Sequence, residues 1–400
     1  MKIAMMTNNY KPFLAGVPVS IERLTESLRQ QGHQVVVFAP SYDGQKQEED
    51  IVRYGALLKG VAGGFSVPNS YDPGIEKSFR EGNFDVIHVH HPMMIGRTAR
   101  YLSAKYNVPL VFTYHTRYEQ YLHYVGLSGF KEVMPAYIRH CTRSCDMVIA
   151  PTPLIKSNLK EMKVEAAVKV LPTGLPKDNF LPDEKEAERI RKEFLGDKTY
   201  LFCTVARLAK EKNLSFLFES LKIRKDSVGA DFRLALIGAG PEEMHLREQA
   251  KRMGLSGEII FVGQVPNRQI KNYCRASDLF LFSSKSETQG IVLLEAMAAG
   301  TPVLAVLATG TEDVVSPGQN GYLTEEDPGE FAAKLMEVLK GRELLRLREG
   351  AIETAEAYRC EKIAVEAAAI YEAVIRQRNA EQHIRRLPGN PRKNVLYSQG

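Results

Sequence analysis

Two glutamates, eight positions apart, mark the segment SETQGIVLLEAMAAGTPVLA. A helix is predicted to begin between them, which places Glu287 in the loop before the helix and Glu295 about one turn inside it. The intervening turn at Gln289, Gly290 and Ile291 exposes backbone N–H groups that suit an anion. A carboxylate beside such a turn would bind sugar hydroxyls. Two exposed glutamates favoured by the helix dipole are the simpler interpretation of the same residues.

A pair of cations occupies the segment VARLAKEKN, directly after a predicted strand. Arg207 and Lys212 lie there in a strand-to-helix loop, at the sheet edge where open parallel α/β sheets bind ligands. Arginine as a planar fork and lysine as a point charge could neutralise a departing diphosphate. Solvated surface charge is the alternative interpretation of both.

Glycine-containing turns follow two other predicted strands. Gly238 and Gly240 stand in ALIGAGP, but Glu243 occupies the third glycine position of the dinucleotide fingerprint, which disfavours a nicotinamide enzyme. Gly16 and Val17 precede a predicted helix start after the first strand. A glycine there lets the backbone approach a phosphate or a sugar, and a simple turn is the alternative.

His115 ends a further predicted strand, and Tyr118 and Tyr121 follow it in RYEQYLHY. These aromatic and polar side chains suit a sugar or glycerol pocket. His88 and His90 share one strand face at a spacing able to bind a metal. Because no nearby carboxylate completes such a site, a structural role is favoured over a metal site.

The sequence gives little support for a metal site or for nucleic-acid binding. The i, i+4 pair Cys141 and Cys145 has no second ligand pair at a zinc-like spacing, and no Asp-x-Asp motif is present. We therefore expect no metal site and no required cofactor. The net charge of +5 among 400 residues is mild, and it does not by itself indicate nucleic acid.

The chain has the composition of a soluble protein, with 44% hydrophobic and 25% charged residues. It contains no signal-peptide pattern and no apolar run of about 18 residues. Five irregularly spaced cysteines indicate free thiols in a reducing compartment. We therefore expect a cytoplasmic protein, with any membrane contact peripheral on the inner face of the cell membrane.

Short apolar strands alternate with amphipathic helices twice along the chain, which predicts two Rossmann-like α/β domains with parallel sheets. This alternation is interrupted near Gly174, where the segment TGLPKDNFLPDEKEAE indicates a linker. We expect a first domain at 1–177 and a second domain at 178–355. A helix at 356–382 and a poorly ordered basic tail at 383–400 would follow.

These motifs resemble those of the family-4 retaining glycosyltransferases, which have the GT-B fold. SETQG and TYHTRYEQYLHY are similar to the branch of bacterial diacylglycerol glucosyltransferases, and the resemblance covers residues 1 to about 378. It implies two Rossmann-like domains facing a central cleft, the first (1–177) binding the acceptor and the second (178–355) binding the nucleotide sugar. The C-terminal helices would cross back to the first domain. The sequence departs from the family pattern at three positions. Ala15 stands where glycine or asparagine is usual, Ala206 where glycine is common, and Gln289 where many relatives have an aromatic residue.

The resemblance also implies roles for the matching residues. Glu287 would contact the transferred sugar, Glu295 the ribose, and Arg207 with Lys212 the diphosphate; His115 would lie beside the sugar. The implied catalytic residues are thus His115, Glu287, Arg207 and Lys212. The further implied donor contacts are Gly16, Val17, Gly238, Gly240, Val265 beside the base, Gln289, Gly290 and Ile291. The implied acceptor contacts are His90, His115, Tyr118 and Tyr121.

The implied reaction moves a hexose, preferably glucose, from a UDP-sugar to a membrane-lipid hydroxyl, preferably of diacylglycerol, in glycolipid synthesis. Alternatives are a soluble sugar, sugar phosphate or polyol acceptor, a GT-B-fold sugar-nucleotide 2-epimerase, and a non-catalytic nucleotide-binding scaffold. Residues 55–71 could contact an anionic membrane or pack as an ordinary loop. A basic flank could also face the membrane, or it could be an ordinary solvated surface. This flank comprises Arg97, Arg100, Lys105, Arg139 and Arg143.

Overall fold

The chain forms two units of α/β structure. Unit 1 comprises residues 1–172 together with the chain from 361 onward, and unit 2 comprises Thr173–Cys360. The chain therefore leaves unit 1 between residues 172 and 173 and returns to it between residues 360 and 361. The sequence predicted these boundaries between 177 and 178 and between 355 and 356. The structure is a computed structural model, and it describes residues 1–12, 16–42, 48–61, 65–117, 133–285, 287–340 and 343–386.

A seven-stranded parallel sheet forms the centre of unit 1, and a separate antiparallel pair of strands accompanies it. The described strands of unit 1 are β1 (Lys2–Met6), β2 (Gln34–Pro40), β3 (Ile51–Tyr54), β4 (Ala56–Val61), β5 (Phe65–Pro68), β6 (Val86–Val89), β7 (Leu110–Thr113), β8 (Met147–Ala150) and β9 (Val168–Val170). The order in the parallel sheet is β3-β2-β1-β6-β7-β8-β9, and β4 pairs with β5.

Strand alternation gives the unit 1 sheet two apolar faces. Ile3 and Met5 of β1 belong to one buried cluster, and Ala4 and Met6 belong to the other. A sheet buried on both faces needs continuously apolar strands, as the sequence has here. The described helices of unit 1 that precede residue 172 are α1 (Gly16–Gln30), α2 (Pro73–Gly82), α3 (Ile95–Tyr106), α4 (Met134–Thr142) and α5 (Pro153–Glu161).

Unit 2 is built on a second parallel sheet of six strands. Its described strands are β10 (Tyr200–Val205), β11 (Phe232–Ile237), β12 (Ile259–Gly263), β13 (Leu279–Phe282), β14 (Val303–Val306) and β15 (Gly321–Thr324). Their order in the sheet is β12-β11-β10-β13-β14-β15. Its helices are α6 (Glu184–Leu195), α7 (Leu214–Val228), α8 (Glu243–Arg252), α9 (Asn267–Ala276), α10 (Ile291–Ala298), α11 (Pro328–Val338) and α12 (Glu343–Glu356). The prediction of two parallel-sheet α/β domains is confirmed.

The final helix, α13 (Cys360–Arg386), returns to unit 1. Ile363, Ala367 and Tyr371 pack into the same buried cluster as Ile3 and Met5 of β1. The helix thus covers one face of the first sheet, which confirms the expected return of the C-terminal part of the chain. The basic tail from 387 onward lies outside the described residues.

Several elements differ from the sequence prediction. The stretch 55–71, for which the sequence predicted no strand, contains the strand pair β4–β5, and the predicted linker contains the start of α6. Asp183 caps α6 by accepting hydrogen bonds from the backbone N–H groups of Lys185 and Glu186. The helix expected at 356–382 corresponds to α13, which begins at Cys360 after a turn that separates it from α12.

Candidate functional site

The strand order of unit 2 reverses between β10 and β13, which are hydrogen-bonded neighbours. From this pair, β11 and β12 continue the sheet on the β10 side, and β14 and β15 continue it on the β13 side. Such a reversal opens a crevice at the carboxyl ends of the strands, where α/β proteins bind ligands. The loops that flank it are 206–213 after β10 and 283–290 after β13.

Lys212 and Glu287 meet at this reversal. The Nζ atom of Lys212 lies 2.5 Å from Oε1 of Glu287, and each side chain is 21% exposed. Ser284 donates to the same carboxylate oxygen over 3.0 Å. Ser283 donates to the Lys212 carbonyl over 2.9 Å, which joins the two loops directly. The prediction from the sequence did not include these serines, although two polar residues ending an apolar strand were a usable signal.

Arg207 lies in the same loop as Lys212 and is exposed. The turn after β11, which contains Gly238 and Gly240, packs closely against this loop. A Cβ added at Gly238 would stand 1.9 Å from the Ala206 carbonyl oxygen, and one at Gly240 would stand 2.3 Å from that of Leu208. Gly238 also has a φ of +132°, which L side chains rarely adopt. These glycines therefore allow the close backbone approach that supports the Arg207 loop.

The start of α10 lies beside the Glu287 loop. Gly290 has a φ of +67°, and a Cβ there would stand 2.6 Å from the Gly310 carbonyl oxygen. Ile291 is the first helical residue, and Glu295 lies one turn further on, partly exposed. The first N–H groups of a helix have no intrahelical partner and form a region of positive potential. An anion near Lys212 would therefore find backbone donors as well as an ammonium group.

Gln289 differs from its neighbours because its side chain is 4% exposed and turned into the protein. Its Oε1 accepts from the Thr173 backbone N–H over 2.7 Å, and its Nε2 donates to the Thr173 carbonyl over 3.0 Å. The Gln289 side chain is thus engaged by the backbone of unit 2. Val265 follows β12 and is half-buried against the apolar cluster of that sheet face.

The candidates in unit 1 lie at the ends of β1, β6 and β7. Gly16 is exposed at the start of α1, with nothing within 4 Å of an added Cβ, and Val17 packs against the unit 1 core. His115 follows β7 and is half-buried. Tyr118 and Tyr121 lie outside the described residues.

Histidines at the ends of β6 and β7 contact one another. The His90 ring is 1% exposed, and its Nδ1 lies 2.9 Å from Nε2 of His115. His90 is therefore placed to support the His115 ring. His88 lies between the Tyr371 hydroxyl at 2.7 Å and the Thr113 hydroxyl at 2.6 Å.

Burial keeps these imidazoles neutral. It lowers the pKa of His115 to about 4 and that of His88 to about 3. The pKa of His90 is lowered well below its usual value, first by burial and then by its histidine neighbours. Near neutral pH, His115 can therefore accept or donate one hydrogen bond but carries no charge.

Within the described ranges, no three His, Cys, Asp or Glu side chains gather as metal ligands. The five cysteines are free thiols. In the same part of the chain, the helices are all too short or too polar to cross a membrane.

Comparison with known proteins gives a consistent result. A family profile described as "Glycosyltransferase Family 4" matches residues 14–179, and one described as "Glycosyl transferases group 1" matches residues 185–357. Two similar proteins are named alpha-monoglucosyldiacylglycerol synthase. The one from Streptococcus pneumoniae is 28% identical over 76% of this chain and 71% of its own. The one from Acholeplasma laidlawii is 27% identical over 86% of this chain and 90% of its own.

A GDP-mannose-dependent alpha-mannosyltransferase from Mycolicibacterium smegmatis is 25% identical over 83% of this chain and 86% of its own. Among solved structures, Anabaena HepE in complex with UDP has a TM-score of 0.75 and 18% identity, covering 93% of this chain and 100% of its own. That likeness shows the fold. Together with the two matching profiles, it shows that the chain belongs to the family-4 glycosyltransferases of GT-B fold and is a hexosyltransferase.

Proposed function

We propose that the chain transfers glucose from UDP-glucose to the hydroxyl of diacylglycerol, with retention at the anomeric carbon. The observation that carries the donor site is the contact between Lys212 and Glu287 at the strand reversal of unit 2. The two relatives named as monoglucosyldiacylglycerol synthases support the sugar and the lipid acceptor. The HepE complex with UDP supports the nucleotide.

The proposed chemistry depends on stabilising the leaving group. Lys212, Arg207 and the N–H groups at the start of α10 would compensate charge that builds on the diphosphate as the bond from C1 to the phosphate oxygen breaks. The acceptor oxygen would bond to C1 from the same face, and its proton would leave with the phosphate. Glu287 would hold the sugar hydroxyls and Glu295 the ribose.

His115 would act as a neutral hydrogen-bonding group towards a sugar hydroxyl, because burial lowers its pKa to about 4. A neutral imidazole can orient the sugar without repelling the cations that bind the diphosphate. His90, which contacts the His115 ring at 2.9 Å, would fix that orientation. Gly16 and Val17 would offer backbone contacts to the donor, and Tyr118 and Tyr121 would contribute to the acceptor side.

One surface of unit 1 supports the proposal of peripheral membrane contact. A groove of about 930 Å³ is lined by three arginines and three tyrosines, which are Arg97, Arg100, Arg143, Tyr71, Tyr101 and Tyr137. Within the basic flank, Lys105 pairs with Glu76 at 2.6 Å and Arg143 with Glu165 at 3.4 Å. Arg100 donates to the Pro92 carbonyl and Arg139 to the Met162 carbonyl. Arginines with exposed tyrosines suit the anionic interface of a bilayer.

The test is an assay of UDP release by the full chain, using UDP-glucose with and without diacylglycerol in anionic vesicles. We expect release that depends on diacylglycerol, with labelled glucose recovered in the lipid phase. Release that requires a soluble sugar would overturn the lipid acceptor. Epimerised UDP-sugar without transfer would overturn the transferase, and no turnover with either acceptor would favour a binding scaffold.

One observation favours a different donor, because a similar protein is a GDP-mannose-dependent mannosyltransferase. The same assay with GDP-mannose distinguishes the two. Faster lipid labelling from GDP-mannose than from UDP-glucose would replace the proposed donor and leave the Lys212–Glu287 site unchanged.

A further inference from the structure

The side chain of Gln289 forms a two-point contact with one backbone residue. Thr173 N–H donates to its Oε1 over 2.7 Å, and its Nε2 donates to the Thr173 carbonyl over 3.0 Å. The backbone N–H can bond only to the amide oxygen, and the carbonyl can bond only to the amide nitrogen, so the orientation of the Gln289 amide is fixed. Gln289 is 4% exposed, which shields both bonds from water.

Thr173 is the first residue of unit 2 after the chain leaves unit 1. The segment Thr173–Leu175, here called the entry segment, is joined to the segment by which the chain leaves unit 2. Leu175 N–H donates to the Tyr358 carbonyl over 2.7 Å, and Cys360 N–H donates to the Leu175 carbonyl over 2.9 Å. A Cβ at Gly174 would stand 2.8 Å from Cys360 Cα.

The other end of this contact is the loop that carries Glu287. Gln289 lies two residues after Glu287 and directly before Gly290, the residue that precedes α10. Glu287 is bonded to Lys212, and a Cβ at Gly310 would stand 2.9 Å from the Glu287 carbonyl oxygen. The loop therefore has little room to shift without moving Gln289. A ligand that orders the loop would also order its contact with Thr173.

We infer that Gln289 is a positioning residue that couples occupation of the donor site to the entry segment of unit 2. This inference rests on the proposed function, because it takes a nucleoside diphosphate as the ligand of the Glu287 loop. UDP bound at Lys212 and the α10 N-terminus reduces the mobility of residues 287–291. Through the two Gln289 hydrogen bonds, UDP also makes local opening of the chain around Thr173 less frequent. The coupling is reciprocal, so loss of the Gln289 bonds weakens UDP binding.

The test is hydrogen–deuterium exchange of the full chain with and without saturating UDP. Two peptides are compared, one covering 287–291 and one covering 171–176. In the natural sequence we expect UDP to slow exchange in both. In Gln289→Met, which has a similar size but makes neither bond, we expect slower exchange in 287–291 only. Gln377→Met, an exposed substitution in α13, is the matched control and should behave as the natural sequence does.

Protection of 171–176 that persists in Gln289→Met, or that is absent in the natural sequence while 287–291 is protected, overturns the inference. Absence of UDP protection in both peptides overturns the proposed donor site, and the inference falls with it. If Gln289→Met does not fold by circular dichroism, Gln289→Ala, which also removes both bonds, carries the same test. We expect UDP protection of 171–176 to fall by at least about half in that variant.

Discussion

Lys212 and Glu287 join the two loops that flank the strand reversal of unit 2, with 2.5 Å between Nζ and Oε1. The contact follows from topology, because β10 and β13 are neighbours in the sheet although 75 positions separate the two residues. It holds an ammonium group and a carboxylate side by side at the edge where α/β sheets bind ligands. A sugar diphosphate needs both kinds of group, one for the phosphates and one for the sugar hydroxyls.

Removing either member of this pair should impair turnover. We expect Lys212→Ala and Glu287→Ala each to lower kcat by more than about tenfold, which is about 1.4 kcal/mol in the barrier. Because the two side chains are in contact, the losses should not add in the double variant. Steady-state kinetics of the three variants measures this. Near-normal turnover in both single variants would reject the assigned site, and Lys222→Ala, which removes a solvent-exposed i, i+4 pair, is the control.

Gly16→Ala should separate a ligand contact from a folding requirement. An added Cβ at Gly16 meets no atom within 4 Å, so the thermal midpoint should change little. If the donor approaches the backbone there, the methyl group should raise KM for the donor by about tenfold. Gly257→Ala is the matched control, since its Cβ also meets nothing within 4 Å. Unchanged KM in Gly16→Ala would remove Gly16 from the donor site.

Stability should fall as the solution is acidified below neutrality. Burial lowers the pKa of His115 from 6.5 to about 4 and that of His88 to about 3, so the unfolded chain takes up protons first. The contribution to stability is complete above the unfolded pKa near 6.5 and is lost as pH falls from there towards the folded values. Chemical denaturation between pH 7.5 and 4.5 measures the slope. His88→Gln should have a smaller slope, and an equal slope would contradict the assignment.

The arginine groove of unit 1 should control binding to anionic vesicles. Arg97→Ala, Arg100→Ala and Arg143→Ala combined should reduce partitioning by about a hundredfold or more, at about 1 kcal/mol for each basic residue near the surface. High salt should have a similar effect on the natural sequence. Vesicle sedimentation measures both. The matched control removes three exposed helix arginines elsewhere, Arg247, Arg346 and Arg376. Equal losses in both triple variants would indicate a net-charge effect only.

Much of the architecture could be predicted from the sequence because parallel strands buried on both faces are continuously apolar. The loops that carry Lys212 and Glu287 were predictable for the same reason, since they follow such strands. The short edge strands β3 and β15 were not predicted, because partly exposed edge strands have a weaker apolar pattern. Helix α6 was missed within a charged segment, although Ala187 and Ile190 are buried at a helical spacing.

The directions of individual side chains were less predictable. Gln289 lies in a segment that resembles a donor-binding motif, yet its amide bonds to Thr173, 116 positions away. His90 was expected among the acceptor contacts, and its buried ring contacts His115. Neither partner follows from local spacing, because both depend on which strand ends the sheet order brings together.

The most direct measurement is a calorimetric titration of UDP into the natural sequence and into Arg207→Ala and Lys212→Ala. Arg207 is exposed, so its loss should leave the fold intact and report on the ligand alone. The account predicts saturable UDP binding that weakens by about tenfold or more in each variant, or about 1.4 kcal/mol. Absence of UDP binding to the natural sequence, or equal affinity in all three proteins, would contradict it.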